Sequence, residues 1–306
     1  MPANEKTSPS PSSSPSPSTV PPLVDAHVHT DDERLDPDRA DVVARAERSG
    51  VIAQVVPAVS ARRWPRLREV CAAHGTLHAC YGLHPCFTAE HDDAHVAELA
   101  EWVGRERPVA IGECGLDYAG KATDATARGL QQHLFAAQLS LAREFDLPIV
   151  IHARGAVEDV IRAIRTAGHY RGLVHSFNGS AEQARRLIDL GYSLSFGGAV
   201  TWPRATRLRE LVATLPLASL LLETDAPDQV DGRHAGQRNE PAWLVDVWRT
   251  IASLRDEDPA TVAHRTSENA IRLFALPIGL PTGPPIGSPI GSPDDLPRGG
   301  AGTARR

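Results

Sequence analysis

Apolar runs alternate with segments of helical periodicity along most of this chain of 306 residues. Eight of the runs are short and rich in consecutive branched residues, which predicts parallel strands covered on both faces. The predicted strands span 23–28, 51–59, 77–83, 108–113, 148–153, 172–177, 192–198 and 219–225.

Helical patterns fill the intervals between the predicted strands, and several carry start and stop signals. The clearest run from an N-cap at Asp36, followed by Pro37, to just before Gly50; over 125–146; from Ser180 to Gly191; and from Pro259 to about Leu276. Eight strands that are each followed by a helix predict an α/β protein of the (β/α)8 TIM-barrel type. An open doubly wound sheet is the alternative. The absence of a G-x-G-x-x-G or P-loop pattern after the first strand makes it less favoured.

Proline divides the chain into a central domain and two tails. Residues 1–22 contain seven prolines and residues 277–306 contain seven more. The first tail has almost no apolar side chains able to offset the entropy of ordering, and the second contains the short repeat PIGSPIGSP, so both tails are predicted to be disordered. The predicted folded domain is therefore 23–276.

The composition is that of a globular protein, with 42% hydrophobic and 23% charged residues and a formal net charge of -6. It excludes a basic footprint over the whole chain but not a nucleic-acid substrate held by cations and local arginines. The four cysteines form no C-x-x-C pair and predict reduced thiols. No apolar run suits a membrane helix or secretory signal, so the expectation is a cytoplasmic protein without membrane contact or an obligatory protein partner.

Metal-ligand side chains occur at the ends of five predicted strands. These residues are His27, His29, Glu113, His152, His175 and Asp225. The carboxyl ends of barrel strands open on one face, so the six side chains are expected to converge there. In an extended strand His27 and His29 point to the same side. Imidazoles and carboxylates suit zinc or manganese, and Glu113 is placed to bridge two ions.

Each of these residues also has a simpler explanation when it is considered alone. A single buried histidine is more often a hydrogen-bonded core residue than a ligand. The H-x-H pair can arise by chance, and Asp225 can act as an N-cap before a turn. The metal-site hypothesis fails only if all of these simpler explanations hold at once. Six ligand-type residues at strand ends therefore favour the metal site.

Seven motifs occur in a fixed order between about 23 and 276. They are DAHVHTD at 25–31, GLHP at 82–85, IGECGLDY at 111–118, IHAR at 151–154, HSFNGS at 175–180, ETDAP at 223–227 and RNEP at 238–241. In this order the sequence resembles the TatD-type metal-dependent deoxyribonucleases. The resemblance implies an amidohydrolase-like TIM barrel and a divalent-cation-dependent hydrolase, commonly a DNase.

The resemblance also implies which residues hold which ion. One ion would be held by His27, His29, Glu113 and Asp225, and a second by Glu113, His152 and His175. The implied cofactors are two divalent cations per chain, of Mg, Mn or Zn. The resemblance also places Asn239 and Pro241 in a loop on the substrate side.

Two positions depart from the family pattern near the mouth of the expected barrel. Gly155 stands where the family commonly has an acidic residue, and Asp228 stands where an aromatic residue is usual. Neither is a predicted ligand, so the departures concern the substrate rather than the metal.

The resulting hypothesis is hydrolysis of DNA phosphodiester bonds, in single strands or at ends, by metal-activated water. Asp225 and Glu113 are the predicted catalytic carboxylates, with Asp225 accepting the proton of the water. Arg154 is a candidate phosphate ligand, although an ordinary surface arginine is the alternative. His84 either contacts substrate or stabilises the turn before Pro85.

Two other functions stay open from the sequence. The same barrel can hydrolyse a small-molecule ester, lactone or amide, often with a carbamylated lysine between its metals. The only lysines are Lys6 and Lys121, and neither lies at a predicted strand end, which favours a glutamate bridge. A non-catalytic metal or nucleic-acid binder predicts a missing ligand, and none of the six is missing.

Overall fold

The computed structural model describes residues 20–119 and 124–280. Eight parallel strands form one sheet in chain order, and each is hydrogen-bonded to the next. They are β1 Leu23–Asp25, β2 Val51–Pro57, β3 Leu77–Tyr81, β4 Ala110–Asp117, β5 Ile149–Arg154, β6 Gly172–Val174, β7 Tyr192–Phe196 and β8 Leu220–Leu222. The predicted set of eight strands is confirmed.

Nine α-helices in the described residues cover these strands. They are α1 Arg39–Arg48, α2 Trp64–Ala73, α3 Asp93–Glu106, α4 Ala125–Glu144, α5 Val157–Ala167, α6 Ala181–Asp189, α7 Thr206–Thr214, α8 Leu244–Ser253 and α9 Pro259–Phe274. At the start of α6 the Ser180 hydroxyl accepts from Gln183 N at 3.1 Å, and the Gln183 side chain accepts from Ser180 N at 3.0 Å. This capping box confirms the predicted start of α6. None of the nine helices combines the length and apolar character needed to span a bilayer.

The first helix begins later than its sequence signal predicted. Asp36 and Pro37 follow a short 3-10 helix at Glu33–Leu35, and α1 begins only at Arg39. The prediction of Asp36 as the N-cap is therefore wrong. Its carboxylate instead forms ion pairs with the guanidinium groups of Arg39 and Arg66, which hold it outside the helix.

The seam between β8 and β1 is closed by hydrogen bonds. Ala26 N donates to Leu222 O at 2.9 Å. The buried Asp25 carboxylate accepts from Thr224 N at 3.0 Å through Oδ1 and from the Thr224 hydroxyl at 2.5 Å through Oδ2. The sheet is thus a (β/α)8 barrel, as predicted, and the open doubly wound alternative is excluded.

The inner face of the barrel changes from apolar to polar along the strand direction. Val150, Leu173 and Leu221 belong to one buried apolar cluster. Side chains two residues apart on a strand face the same side. The residues two positions further along the same strands are His152, His175 and Glu223. The polar residues therefore lie above an apolar barrel floor, towards the carboxyl ends of the strands.

The ordered core extends slightly past the predicted domain bounds of 23–276. Val20 and Ile278 both pack against the hydrophobic core. Apart from 20–22 and 277–280, the predicted tails lie outside the described residues, and their disorder stays a prediction.

Candidate metal centre

Glu113 lies within β4 and not at its end, so the predicted strand boundary at 113 is wrong. The strand continues because Gly115 pairs with His152 and Asp117 pairs with Arg154 in β5. A Cβ at position 115 would lie 2.2 Å from His152 O, so only glycine permits this approach of the two strands. The close pairing brings Glu113 beside His152.

The first and last strands are shorter than predicted, and their ligands lie just beyond them. β1 ends at Asp25 and β8 ends at Leu222. Asp225 N still donates to His27 O at 2.9 Å, so the two chain segments stay paired past the strand ends. Asp225 adopts a positive φ of 54°, which is uncommon for a residue with a side chain and recurs at functional sites.

The first group of ligand atoms surrounds one point above the barrel floor. His27 Nε2 lies 3.3 Å from His29 Nε2 and 3.3 Å from Glu113 Oε2. Asp225 Oδ1 lies 3.4 Å from His27 Nε2 and 3.5 Å from His29 Nε2. The four residues that the family resemblance assigns to one ion are therefore brought together.

The second group shares Glu113 with the first. Glu113 Oε1 lies 3.0 Å from His152 Nδ1 and 2.8 Å from His175 Nε2. The two imidazole nitrogens are 3.1 Å apart. Because one carboxylate oxygen faces each group, Glu113 has the position of a bridging ligand.

The spacing of these atoms fits divalent cations. In a tetrahedral shell with bonds of about 2.0–2.2 Å, neighbouring ligand atoms lie about 3.3–3.6 Å apart, as in the first group. Ligands at right angles and about 2.1 Å from an ion lie about 3.0 Å apart, as in the second. Glu113 Oε2 is buried and has no hydrogen-bond partner among the described residues, which a cation would supply.

The charges of the cluster fit the same interpretation. Burial would lower the pKa of His27, but the Glu113 and Asp225 carboxylates outweigh it and raise that pKa to about 10. Burial likewise lowers the pKa of His152, but the hydrogen bonds that its imidazole donates to Asp117 and Glu113 outweigh this and raise that pKa to about 9. Protons on these imidazoles balance the buried carboxylates in the way that cations would.

Two of the four ligand histidines have a visible partner on the second ring nitrogen. His29 Nδ1 lies 3.2 Å from Pro57 O. His152 Nε2 lies 2.9 Å from Asp117 Oδ2. Such contacts fix the orientation and tautomer of a metal-binding imidazole. Asp117 stands in the IGECGLDY motif but was not among the predicted site residues. The reason is that β4 was predicted to end before it.

His84 contacts the bridging carboxylate. Its Nδ1 accepts from Cys86 N at 3.0 Å, so its proton is on Nε2. This Nε2 lies 2.9 Å from Glu113 Oε1 and can donate to it. Burial lowers the pKa of His84, which favours this neutral form. His84 therefore both stabilises the turn and orients Glu113.

A pocket of about 980 Å³ opens above the two ligand groups. Arg154 lines it and is anchored by a hydrogen bond of 2.8 Å from its Nε to Asp117 Oδ2. Asp228, one of the two departures, lies at the rim and pairs with the Arg34 guanidinium at 2.9 and 2.6 Å. Gly155, the other departure, has a φ of 68°, a backbone conformation that a carboxylate side chain rarely adopts.

Asn239 is not brought into the pocket. Its side chain is buried, and its amide nitrogen donates to Thr224 O at 2.8 Å and to Asp228 O at 2.6 Å. Pro241 is likewise buried, at the start of the short helix Pro241–Trp243. Asn239 therefore holds the loop after β8, which carries Asp225, in its observed conformation.

Comparison with known proteins agrees with this geometry. YjjV of Escherichia coli K12, named an uncharacterized metal-dependent hydrolase, is 36% identical over 258 residues, which cover 83% of this chain and 98% of YjjV. The crystal structure of the YjjV protein, a TatD homologue, matches with a TM-score of 0.80 at 35% identity, covering 83% of this chain and 98% of that one.

Two further relatives cover nearly the same part of the chain. YabD of Bacillus subtilis 168, also named an uncharacterized metal-dependent hydrolase, is 36% identical over 256 residues, or 83% of this chain and 99% of YabD. TatD of a Rahnella species, named a 3'-5' ssDNA/RNA exonuclease, is 34% identical over 254 residues, or 79% of this chain and 94% of that protein. The sequence family described as TatD related DNase matches residues 24–275. This chain therefore belongs to the family of TatD-related DNases.

Proposed function

We propose that this protein is a metal-dependent hydrolase that cleaves phosphodiester bonds of DNA with two divalent cations, of Mg, Mn or Zn. The observation that carries the proposal is the pair of ligand groups joined by Glu113 at the bottom of an open pocket. Two cations a few ångströms apart suit the attacking and leaving oxygens of a phosphoryl displacement.

The ligand residues would have separate roles in such a reaction. His27, His29 and Asp225 would hold one cation, His152 and His175 would hold the other, and Glu113 would be shared between them. When bound, the cations supply Lewis acidity, which polarises the phosphate and lowers the pKa of water.

Asp225 is the proposed general base. Its Oδ1 faces the imidazoles of His27 and His29, so Oδ2, which accepts from the Gln229 amide, is the atom left to take a proton from water. Hydrogen bonds to the ionised carboxyl from the neighbouring imidazoles overcome the effect of burial and keep the pKa of Asp225 well below its usual range. The carboxylate is thus in the ionised form that a base requires.

Arg154 is the proposed phosphate ligand. Its Nε is fixed on Asp117, and the guanidinium stays about half exposed in the pocket wall. The planar fork can therefore present its terminal N–H groups to a phosphate. The name of the Rahnella relative supports a single-stranded nucleic acid, or the end of one, as the substrate.

The test is cleavage of a single-stranded DNA oligonucleotide labelled at one end, with Mg²⁺, Mn²⁺ or Zn²⁺. We expect cleavage that EDTA abolishes and that Asp225→Asn reduces to background. Asp231→Asn is the matched control, since Asp231 is also buried and lies in the same loop but outside the ligand groups. Cleavage that persists in EDTA or in Asp225→Asn would contradict the proposal.

A second candidate is hydrolysis of a small-molecule ester, lactone or amide. The pocket volume of about 980 Å³ lies within the range of sites for small ligands. Parallel assays with a chromogenic phosphodiester and a series of lactones separate the two functions. Turnover of lactones alone would favour the second.

A further inference from the structure

Three polar atoms are buried beneath the ligand groups. They are His27 Nδ1, His175 Nδ1 and Glu223 Oε1, and none has a hydrogen-bond partner among the described residues. His175 Nδ1 and Glu223 Oε1 are 3.9 Å apart, and one ligand atom from each of the three side chains lies within 4.8 Å of the others. A buried polar atom without a partner has lost its hydration with nothing in exchange, so three such atoms close together indicate an arrangement that pairs them.

The two imidazoles are arranged alike. Their rings stack with centroids 3.8 Å apart and 7° between the planes. Both Nε2 atoms face Glu113. That of His27 lies 3.3 Å from Oε2, and that of His175 lies 2.8 Å from Oε1. An imidazole that binds a cation through Nε2 keeps its proton on Nδ1, so each ring has an N–H that needs an acceptor.

Glu223 is the unused acceptor. It is fully buried, and its other oxygen, Oε2, accepts from the Ser195 hydroxyl at 2.5 Å. The distance of 3.9 Å from Oε1 to His175 Nδ1 can be spanned by one water molecule or closed by a small side-chain shift.

The other two ligand histidines have partners on their second ring nitrogens. The second ring nitrogen of His29 faces Pro57 O, and that of His152 faces Asp117. Among the described residues, His27 and His175 are the ligand histidines without such a partner. One ligand atom of each lies within 4.8 Å of a carboxylate oxygen of Glu223.

We propose that Glu223 is a positioning residue that accepts hydrogen bonds, directly or through one water molecule, from Nδ1–H of both His27 and His175. The inference rests on the ligand assignment in the proposed function. His27 belongs to the first ligand group and His175 to the second. A single carboxylate therefore orients one ligand of each cation, whereas Asp117 orients a ligand of the second cation alone.

The test measures binding of Mn²⁺ and Zn²⁺ to the metal-free protein by calorimetry. Loss of such an orienting partner typically weakens metal binding about 10–100-fold. We expect Glu223→Gln to weaken both binding events by that factor and Asp117→Asn to weaken only one. Ser195→Ala, which frees Glu223, should give a smaller loss at both. The melting temperature of the metal-free variants should stay close to that of the wild type, which a merely structural role of Glu223 would not predict.

Asp231→Asn is the matched control, since it makes the same exchange of a buried carboxylate for an amide outside the metal centre. Wild-type affinities in Glu223→Gln would overturn the inference while leaving the proposed function intact. A wild type that binds neither ion would overturn the ligand assignment itself, and the inference with it.

A second measurement does not depend on how the variants fold. In the wild-type protein loaded with Zn²⁺, imidazole NMR should show His27 and His175 as Nδ1–H tautomers whose protons exchange slowly with water. Protons on Nε2, or fast exchange at Nδ1, would overturn the inference.

Discussion

The side-chain amide of Gln229 donates a hydrogen bond to Oδ2 of Asp225. The Ser176 hydroxyl in turn donates to Gln229 Oε1 at 2.8 Å. A Cβ at Gly198 would lie 2.1 Å from Gln229 O, so the absence of a side chain there lets the loop after β8 pack against the segment that follows β7. The loops after β6 and β8 thus jointly fix the direction of the proposed general base.

Replacing Gln229 should therefore slow catalysis. A hydrogen bond to a charged group contributes about 1.5 kcal/mol or more, which corresponds to about a tenfold change in rate. We expect Gln229→Leu to lower kcat about tenfold with little change in cation affinity, and Ser176→Ala to lower it less. Steady-state kinetics on a DNA oligonucleotide measures both, and an unchanged kcat in Gln229→Leu would show that Asp225 needs no such support.

Arg154 should act on substrate binding. Removing a phosphate contact that forms in both the ground state and the transition state raises KM and leaves kcat nearly unchanged. We expect Arg154→Gln to raise KM for DNA about tenfold. Arg165→Gln, an exposed exchange on the neighbouring helix α5, is the control and should leave KM unaltered. Equal KM values for the two variants would show that Arg154 is an ordinary surface arginine and does not bind phosphate.

Cation binding should strengthen as the pH rises. Burial opposes the nearby carboxylates, but these raise the pKa of His27 to about 10 and that of His152 to about 9. Below these values a cation must displace protons from both imidazoles. Each displaced proton makes the affinity rise about tenfold per pH unit, so titrations at pH 6, 7 and 8 should differ strongly. A constant affinity over this range would contradict the protonated state of the cluster.

The barrel seam should depend on Asp25. Its carboxylate accepts from both the backbone and the hydroxyl of Thr224, and its replacement leaves buried donors without a partner. We expect Asp25→Ala to lower the free energy of unfolding by about 3 kcal/mol in urea titrations. Asp189→Ala, an exposed exchange, should change it by less than about 0.5 kcal/mol. A loss in Asp25→Ala no larger than in this control would show that the backbone alone holds the seam.

The positions of the ligands could be predicted because they follow directly from strand order. Parallel strands in a barrel end on one face, so residues such as His152 and His175 are brought together by topology alone. Glu113 was found for the same reason, although its strand was predicted too short. The segment from Cys114 to Asp117 has no strand-like alternation, and it is extended only because β5 pairs with it.

The orienting residues could not be found from local pattern. Asp117 contacts His152, which is distant in sequence, and Gln229 joins Asp225 to Ser176 in another loop, so no periodicity marks either residue. Glu223 did carry a signal, because it lies two residues after the buried Leu221 in the predicted strand 219–225, where that spacing puts both side chains on one face. The signal was a polar residue at a position that faces the inside of the barrel. Assigning residues to strands does not by itself detect it.

His27 Nε2 and Asp225 Oδ1, which follow the first and last strands of the barrel, lie 3.4 Å apart. During translation the amino-terminal ligands are synthesised first, and the first cation site is complete only after the last strand and Asp225 have been added. A nascent or truncated chain that stops before β8 therefore lacks both the seam and the proposed base. Hydrolytic capacity, on this account, appears only once the barrel is closed.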